Sequence, residues 1–510
     1  MSREFFRTYK AIVFLFIALL YAYRIFLFTD PDLGWHLRAG EQVILTHHAP
    51  HINVWSYYLP GHTWIDPEWT VDALLWLGWS HHAWVLVQLF FLVIVLIPLG
   101  YSIKRSLYAL DLFFATVAGA FMIDFVGVRP QMWSYLLFFL FYLLLEKHSS
   151  LFKKPWFLAI VPLYFLLWAN IHGGFPAGLL AWGIVLAVHS YKRVFIDKDC
   201  KLRSALPEVI SLIVSCVATL CTPYGIGLIK EIYITTHFQT LGRIVEWQPA
   251  LYHWSFPLLF LIGIMIPLFQ ITTPKKDVGV LAPTAVFFLL FMQHVRMVPM
   301  FFVTVLPALR NSTEQFYTHI ISGSMEVGKT ITLRLEVAAL AGVFLTLCFA
   351  PTTSHLSSVF TPPQAAIAAL DSAYLSQIPG KVFNDYGYGG WMIYMHPERQ
   401  VYIDGRMAQW QTASGTAAFD EYIDITETPG KWRATFLEYG ITKVILTRDS
   451  WTKVQVPVHI SLGPFTHAIR QFFGARDYES LANQLEKADW CMRYSDEQAI
   501  ILVAPEYCHK

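Results

Sequence analysis

The chain has 510 residues, of which 55% are hydrophobic, 16% aromatic and only 14% charged, and its formal net charge is +1. Soluble domains carry roughly 25% charged residues, so this composition excludes an ordinary soluble protein and points to a membrane protein. The near-neutral balance also excludes recognition of nucleic acid through a basic face.

In chain order, the first apolar run covers Ala11 to Phe28 with Arg24 as its one charge. At 1.5 Å per residue it is about 27 Å long, close to a hydrocarbon core. A cleaved leader would share this layout, but no small-x-small site precedes Asp30 and further apolar runs follow. Spans are then expected over Ala83 to Ile103, Leu110 to Val128, Met132 to Leu145, Trp156 to Ile171, Phe175 to Tyr191 and Leu206 to Cys221. Four more are expected over Phe256 to Phe269, Val278 to Met292, Val298 to Leu309 and Leu335 to Ala350, which makes about eleven.

Charge sets the expected orientation. The N-terminal flank and the even-numbered connections hold 18 basic residues, against five on the opposite connections: Arg38, Arg129, Lys230, Arg243 and Arg296. That bias predicts a cytoplasmic N-terminus, and an odd number of spans then puts the C-terminus outside. The expected organisation is a membrane domain over residues 1–350, with long outer loops at 29–82 and 222–254, and an extracytoplasmic α/β domain over residues 351–510. In that tail, strands are expected at Lys381 to Phe383, Trp391 to Met395, Val401 to Ile403, Ile441 to Leu446 and Ala499 to Ala504. A helix is expected over Lys431 to Tyr439, stopped by Gly440. Cys491 and Cys508 flank a hairpin and form a disulfide if the compartment is oxidising.

Chemistry-bearing residues collect in the first outer loop, as Asp30-Pro-Asp32 and Asp66-Pro-Glu68-Trp69. Carboxylates at a membrane surface can bind a divalent metal through oxygen or take a proton from an attacking hydroxyl. A plainer reading is that Asp30 and Asp32 cap a helix beginning near Leu33.

The order of these features resembles the GT-C superfamily of polytopic glycosyltransferases that use lipid-linked sugars, particularly its bacterial members. What carries the resemblance is the acidic pair at the outer end of the first span, the long first outer loop, about eleven spans and an outer domain. The resemblance implies an inverting transfer of a sugar from a polyprenyl-phosphate donor to a lipid, glycan or protein acceptor of the cell envelope. It also implies a multi-pass protein of the bacterial inner membrane. Position by position, it makes Asp30 the carboxylate that activates the acceptor and Asp32 its helper, with Glu68 or Asp66 as a second acidic site. It leaves the cofactor open: Mg²⁺ or Mn²⁺ on Asp30 and Asp32 is one option. In the tail, Phe383-Asn384-Asp385-Tyr386-Gly387 faintly resembles the WWDYG signature of oligosaccharyltransferases, although both tryptophans are replaced.

A departing phosphate leaves as an anion and needs positive charge more than a proton. Arg129 and Arg296 lie at expected outer ends of spans, where a guanidinium fork can grip phosphate; ordinary interfacial arginines snorkel from the same positions. His172, in the tight outer turn Asn170-Ile-His172-Gly173-Gly174, and Glu246, in the second outer loop, are further candidates for contact with substrate. Turn chemistry and a rim position are their plainer readings. Asp404-Gly405-Arg406 reads as a turn with a local ion pair. A transporter or flippase is an alternative function, but no internal duplication is evident. A catalytically silent scaffold is another.

Overall fold

The computed structural model describes residues 3–146, 150–196, 205–237, 244–250, 260, 262–264, 278–323, 325–353, 362–413, 415–448 and 479–508. The chain divides into two compact units: Met1–Phe28 with Ala83–Ile229 and Glu246–Val359, and Thr29–His82 with Lys230–Val245 and Phe360–Lys510.

The first unit is helical among the described residues. Without water to bond to, an apolar segment must satisfy its own backbone, and a helix does so. Four helices are long and apolar enough to cross a membrane: Arg3–Leu27, Trp84–Arg105, Phe175–Ile196 and Thr330–Phe349. Shorter apolar helices cover Ala109–Met122, Gln131–Glu146, Pro155–Ile171, Leu206–Ala218 and Val278–Gln293. The expected span at Phe256 to Phe269 lies mostly outside the described residues. Three helices run well past the expected spans, Arg3–Leu27, Val298–Gly323 and Met325–Thr353, because a helix carries polar residues onward past the charges that bound an apolar run.

Aromatic rings fill the core of this unit. Phe141 packs edge-on against both Phe165 and Trp182, and those two stack with centroids 6.2 Å apart. Gly178 makes this possible, since a Cβ there would come within 2.6 Å of the Trp168 indole.

The second unit is built around a four-stranded sheet of order β1-β2-β4-β3, with β1 at Lys381–Asn384, β2 at Ile441–Thr447, β3 at Cys491–Ser495 and β4 at Ala499–Val503. β1 and β2 are parallel, and the other neighbours antiparallel. β4 reads Ala-Ile-Ile-Leu-Val and is buried at every position, which is why it is apolar throughout rather than alternating. Cys491 and Cys508 are joined by a disulfide across the base of this hairpin.

Two expected strands are not strands. Residues Gly389–Met395 form a helix, because a short apolar run suits either state and here every residue from Gly389 to Ile393 is buried, so the helix is enclosed on all sides. Val401 makes only an isolated parallel bridge to Ser56. That bridge ties Thr29–His82 to the tail: Val401 N–H donates to the Trp55 carbonyl at 2.9 Å, and Tyr57 N–H to the Val401 carbonyl at 3.1 Å. Residues 29–82 are no open loop; they contribute the helices Leu33–Thr46 and Trp69–Ser80 to this unit.

The Phe383 to Gly387 segment is a structural corner. Asn384 is fully buried, and its side-chain amide donates to the Ile403 carbonyl while its oxygen accepts from Tyr402 N–H, both at 2.8 Å. Asp385 accepts from Gly387 N–H at 3.0 Å.

Candidate active site

In the second unit, Leu33–Thr46 starts directly after the acidic pair. Asp32 occupies its N-cap position without a side-chain capping bond; instead Asp30 Oδ1 accepts from Asp32 N–H at 2.8 Å, so the capping reading fails for Asp32. Trp391 Nε1 donates to the Asp30 carbonyl at 3.2 Å. Three glycines bring these backbones close. A Cβ on Gly34 would overlap the Gly390 carbonyl, one on Gly390 would approach the Pro31 carbonyl, and one on Gly405 would overlap the Asp32 carboxylate. Side-chain-free surfaces of the tail therefore hold the Asp30-Pro31-Asp32 turn.

One turn further along the helix, His36 Nδ1 lies 2.7 Å from Asp72 Oδ1, and its Nε2 lies 3.7 Å from Glu68 Oε2. Asp66 Oδ1 accepts from Glu68 N–H at 3.0 Å. Asp66 and Asp72 are fully buried and close enough to act on each other electrostatically. The Oδ2 atom of each has no hydrogen-bond partner among the described residues. Burial pushes Asp66 well above the usual carboxylate range, with Asp72 and Glu68 adding to it against the Glu68 N–H and His36. Burial, then Glu68, raises Asp72. The structure thus gathers Asp66 and Glu68, named by the sequence, with His36 and Asp72, which it had not singled out. The helical spacing of Glu68 and Asp72, four residues apart on one face, was the available signal.

Behind this cluster, Arg406 forms a two-point pair with Asp404, at 2.7 and 2.8 Å, and donates to Asn53 Oδ1 at 3.2 Å. Its guanidinium lies over the rings of Trp55, Trp64 and Trp410, 4.5 to 5.3 Å from their centroids. The local ion pair expected at this turn is present, and it is buried.

In the first unit, Glu246 joins both candidate arginines. Arg129 Nη1 is 2.7 Å from Glu246 Oε1, and Arg296 Nη1 is 3.7 Å from Oε2. All three side chains keep between 22% and 30% of their surface exposed. Arg296 lies over Trp247 at 5.0 Å, and Trp247 is anchored by His294, whose Nδ1 is 3.0 Å from its carbonyl oxygen. Two guanidiniums meet one carboxylate at a partly exposed surface. Such a pair suits a phosphate oxyanion.

His172 lies elsewhere in that unit. Its Nδ1 accepts from Gly174 N–H at 2.9 Å and from Ser134 Oγ at 2.7 Å, and Ser134 in turn accepts from Trp168 Nε1 at 2.7 Å. An Nδ1 that accepts twice places the ring proton of a neutral imidazole on Nε2.

Asp30 and Asp32 do not make a metal centre by themselves: Asp30 Oδ1 is engaged by a backbone N–H, and among the described residues no three His, Cys, Asp or Glu side chains converge at ligand spacing.

Neither a family model nor a curated protein sequence matches the chain. Solved structures do. An archaeal oligosaccharyltransferase, AglB from Archaeoglobus fulgidus, in complex with an inhibitory peptide and a dolichol-phosphate, aligns with a TM-score of 0.56 at 12% identity, over 87% of this chain and 70% of that one. The apo form of the Archaeoglobus fulgidus oligosaccharyltransferase aligns with the same TM-score and identity over 98% and 74%. Its complex with zinc and sulfate gives a TM-score of 0.51 at 12% identity over 96% and 73%. The chain therefore shares the fold of these oligosaccharyltransferase structures.

Proposed function

We propose that this protein is a membrane glycosyltransferase that moves a sugar from a polyprenyl-phosphate donor to an acceptor of the cell envelope. The observation that carries the reading is the Arg129–Glu246–Arg296 arrangement, two partly exposed guanidiniums brought together by one carboxylate. In this reading Arg129 and Arg296 hold the donor phosphate, and Glu246 orients them rather than meeting the sugar itself. The dolichol-phosphate carried by the archaeal structure of the same fold supports a lipid phosphate as the ligand class.

Asp30, in the second unit, is the base that the resemblance implies, taking the proton of the acceptor hydroxyl as that oxygen attacks the anomeric carbon. The bond from that carbon to the phosphate oxygen breaks, its electron pair leaves with the phosphate, and configuration inverts. Asp32 fixes the Asp30 carboxylate by donating its N–H. Glu68 and Asp66, through His36 and Asp72, hold the first helix against the second in the same unit. We further read the chain as eleven spans of the bacterial inner membrane, with the N-terminus cytoplasmic and the disulfide-bearing tail on the oxidising side. The acceptor, whether lipid, glycan or protein, is approached from that side.

The test is mass spectrometry of envelope glycans and lipids from cells with wild-type protein, with Asp30→Asn and with none. Loss of the same glycan species in the last two supports the reading. An unchanged profile in cells lacking the protein overturns it.

A further inference from the structure

Within the first unit, a narrow cleft lies between the helices Arg3–Leu27, Trp84–Arg105, Ala109–Met122, Gln131–Glu146 and Val298–Gly323. Its walls are apolar, with Leu99, Phe114, Ala118, Phe139 and Leu306 among them. Polar groups gather at one end: Ser102, Arg105, Asp111 and Arg310. Ala109–Met122 contributes Asp111 at that end and Met122 at the other, a run of about 16 Å at 1.5 Å per residue. Half of a hydrocarbon core of roughly 30 Å is nearly the same length. The slot is thus as deep as one leaflet.

The charges at the mouth are not equivalent. Asp111 is committed to its own helix, accepting the N–H groups of Leu107 and Tyr108 at 2.9 and 3.1 Å. Glu146 is neutralised by Arg310 at 2.6 Å. Lys10 Nζ donates to the carbonyls of Lys104 and Ser106, at 2.9 and 3.0 Å, beside the same rim. Arg105 is exposed and sits over the Tyr101 ring at 5.8 Å; among the described residues no carboxylate forms an ion pair with it. Arg105 is therefore the cation at the mouth of the slot that no carboxylate pairs among the described residues, while Arg310 is taken by Glu146. Basic pockets between membrane helices take anionic lipid headgroups.

We propose that this cleft binds one anionic diacyl phospholipid, with an acyl chain in the apolar slot and its phosphate at Arg105. The site is separate from the Arg129–Glu246–Arg296 arrangement, because Arg129 precedes the helix Gln131–Glu146 and the cleft opens toward the Glu146 end. With the basic connections cytoplasmic, the lipid comes from the inner leaflet. The proposal does not depend on sugar transfer.

Native mass spectrometry of the full chain in detergent, titrated with phosphatidylglycerol or with a diacylglycerol of the same chains, tests it. One phosphatidylglycerol is expected to stay bound. Arg105→Gln should lower occupancy about fivefold, the effect of one basic residue near a headgroup. Ala118→Phe, which fills the slot, should abolish binding, while Leu140→Phe on an exposed helix face should leave it unchanged. Should Ala118→Phe fail to fold, the exposed Arg105 still decides. Unchanged occupancy in Arg105→Gln, or diacylglycerol retained as well as phosphatidylglycerol, overturns the site.

Discussion

Gly405 leaves the space that the Asp32 carboxylate occupies, and a single added methyl group at 405 would overlap that carboxylate. Overpacking of this kind typically costs 1–3 kcal/mol. Gly405→Ala is accordingly expected to lower the melting temperature and to disturb the Asp30-Pro31-Asp32 turn. Gly387→Ala, where the nearest atom would be Asp385 Oδ1 at 3.6 Å, should change stability by less than about 0.5 kcal/mol. Equal thermal shifts for the two variants would contradict the clamp.

The buried Asp66–Asp72 pair ties stability to pH. Both carboxyls are raised above their ordinary value, so the folded chain binds more protons than the unfolded one above about pH 4. The stabilisation is complete below that pH and is lost as pH rises through the raised value. The slope is about 1.4 kcal/mol per pH unit for each proton so held. Asp66→Asn supplies an N–H in place of the proton, and melting temperatures taken across a pH series should flatten in that variant. A variant as pH-sensitive as wild type would show that the proton resides elsewhere.

Arg406→Lys keeps the charge and loses the fork. The guanidinium's two bonds to Asp404 and its three indole neighbours have no ammonium equivalent. Disrupting a buried pair costs about 3–5 kcal/mol. Denaturant unfolding of the purified protein should show a loss of that order, and a loss below about 1 kcal/mol would mean the pair is not structurally important.

Cys491 and Cys508 are separated by 17 positions, and closing a loop of that size stabilises by about 3 kcal/mol in the chain-entropy treatment. Replacing both with serine should lower the melting temperature without reducing agent, and added reductant should then have no further effect. Identical melting curves for oxidised wild type and the double variant would refute a structural role.

Arg129→Lys should weaken donor binding by about tenfold or more, since one ammonium cannot make a forked contact. Glu246→Gln should loosen both arginines at once. In a transfer assay the first change is expected mainly in KM for the lipid donor. An unaltered KM in both variants would remove the arginine pair from the proposed site.

Much of the helical architecture is legible in the chain because a span is a long, one-signal segment: Arg3–Leu27 and Trp84–Arg105 need no partner to be recognised. The hairpin carrying Cys491 was legible for a similar reason, as β4 is a continuous apolar run bounded by polar residues. Short segments were not. Trp391 to Met395 suits strand or helix equally, and what decides is the approach of Gly390 to the Pro31 carbonyl, more than 350 positions away. The acids of the first outer loop stood out as a cluster in sequence, but their sorting did not. Asp66 pairs with Asp72 through burial, whereas Asp30 is held by the neighbouring amide and by Trp391. Arg129 and Glu246, 117 residues apart, were both candidates, yet nothing local joins them.

The second unit is assembled from three stretches of chain that ribosomes deliver far apart in time. Asp32 is made roughly 370 residues before Gly405, an interval of about 20 to 75 s at 5–20 residues per second. During that interval the Leu33–Thr46 helix lacks the Gly390 surface and His62 lacks the Trp410 ring. Until the tail is made, Trp35 lacks Gly390 beside it and Trp64 lacks the Arg406 guanidinium.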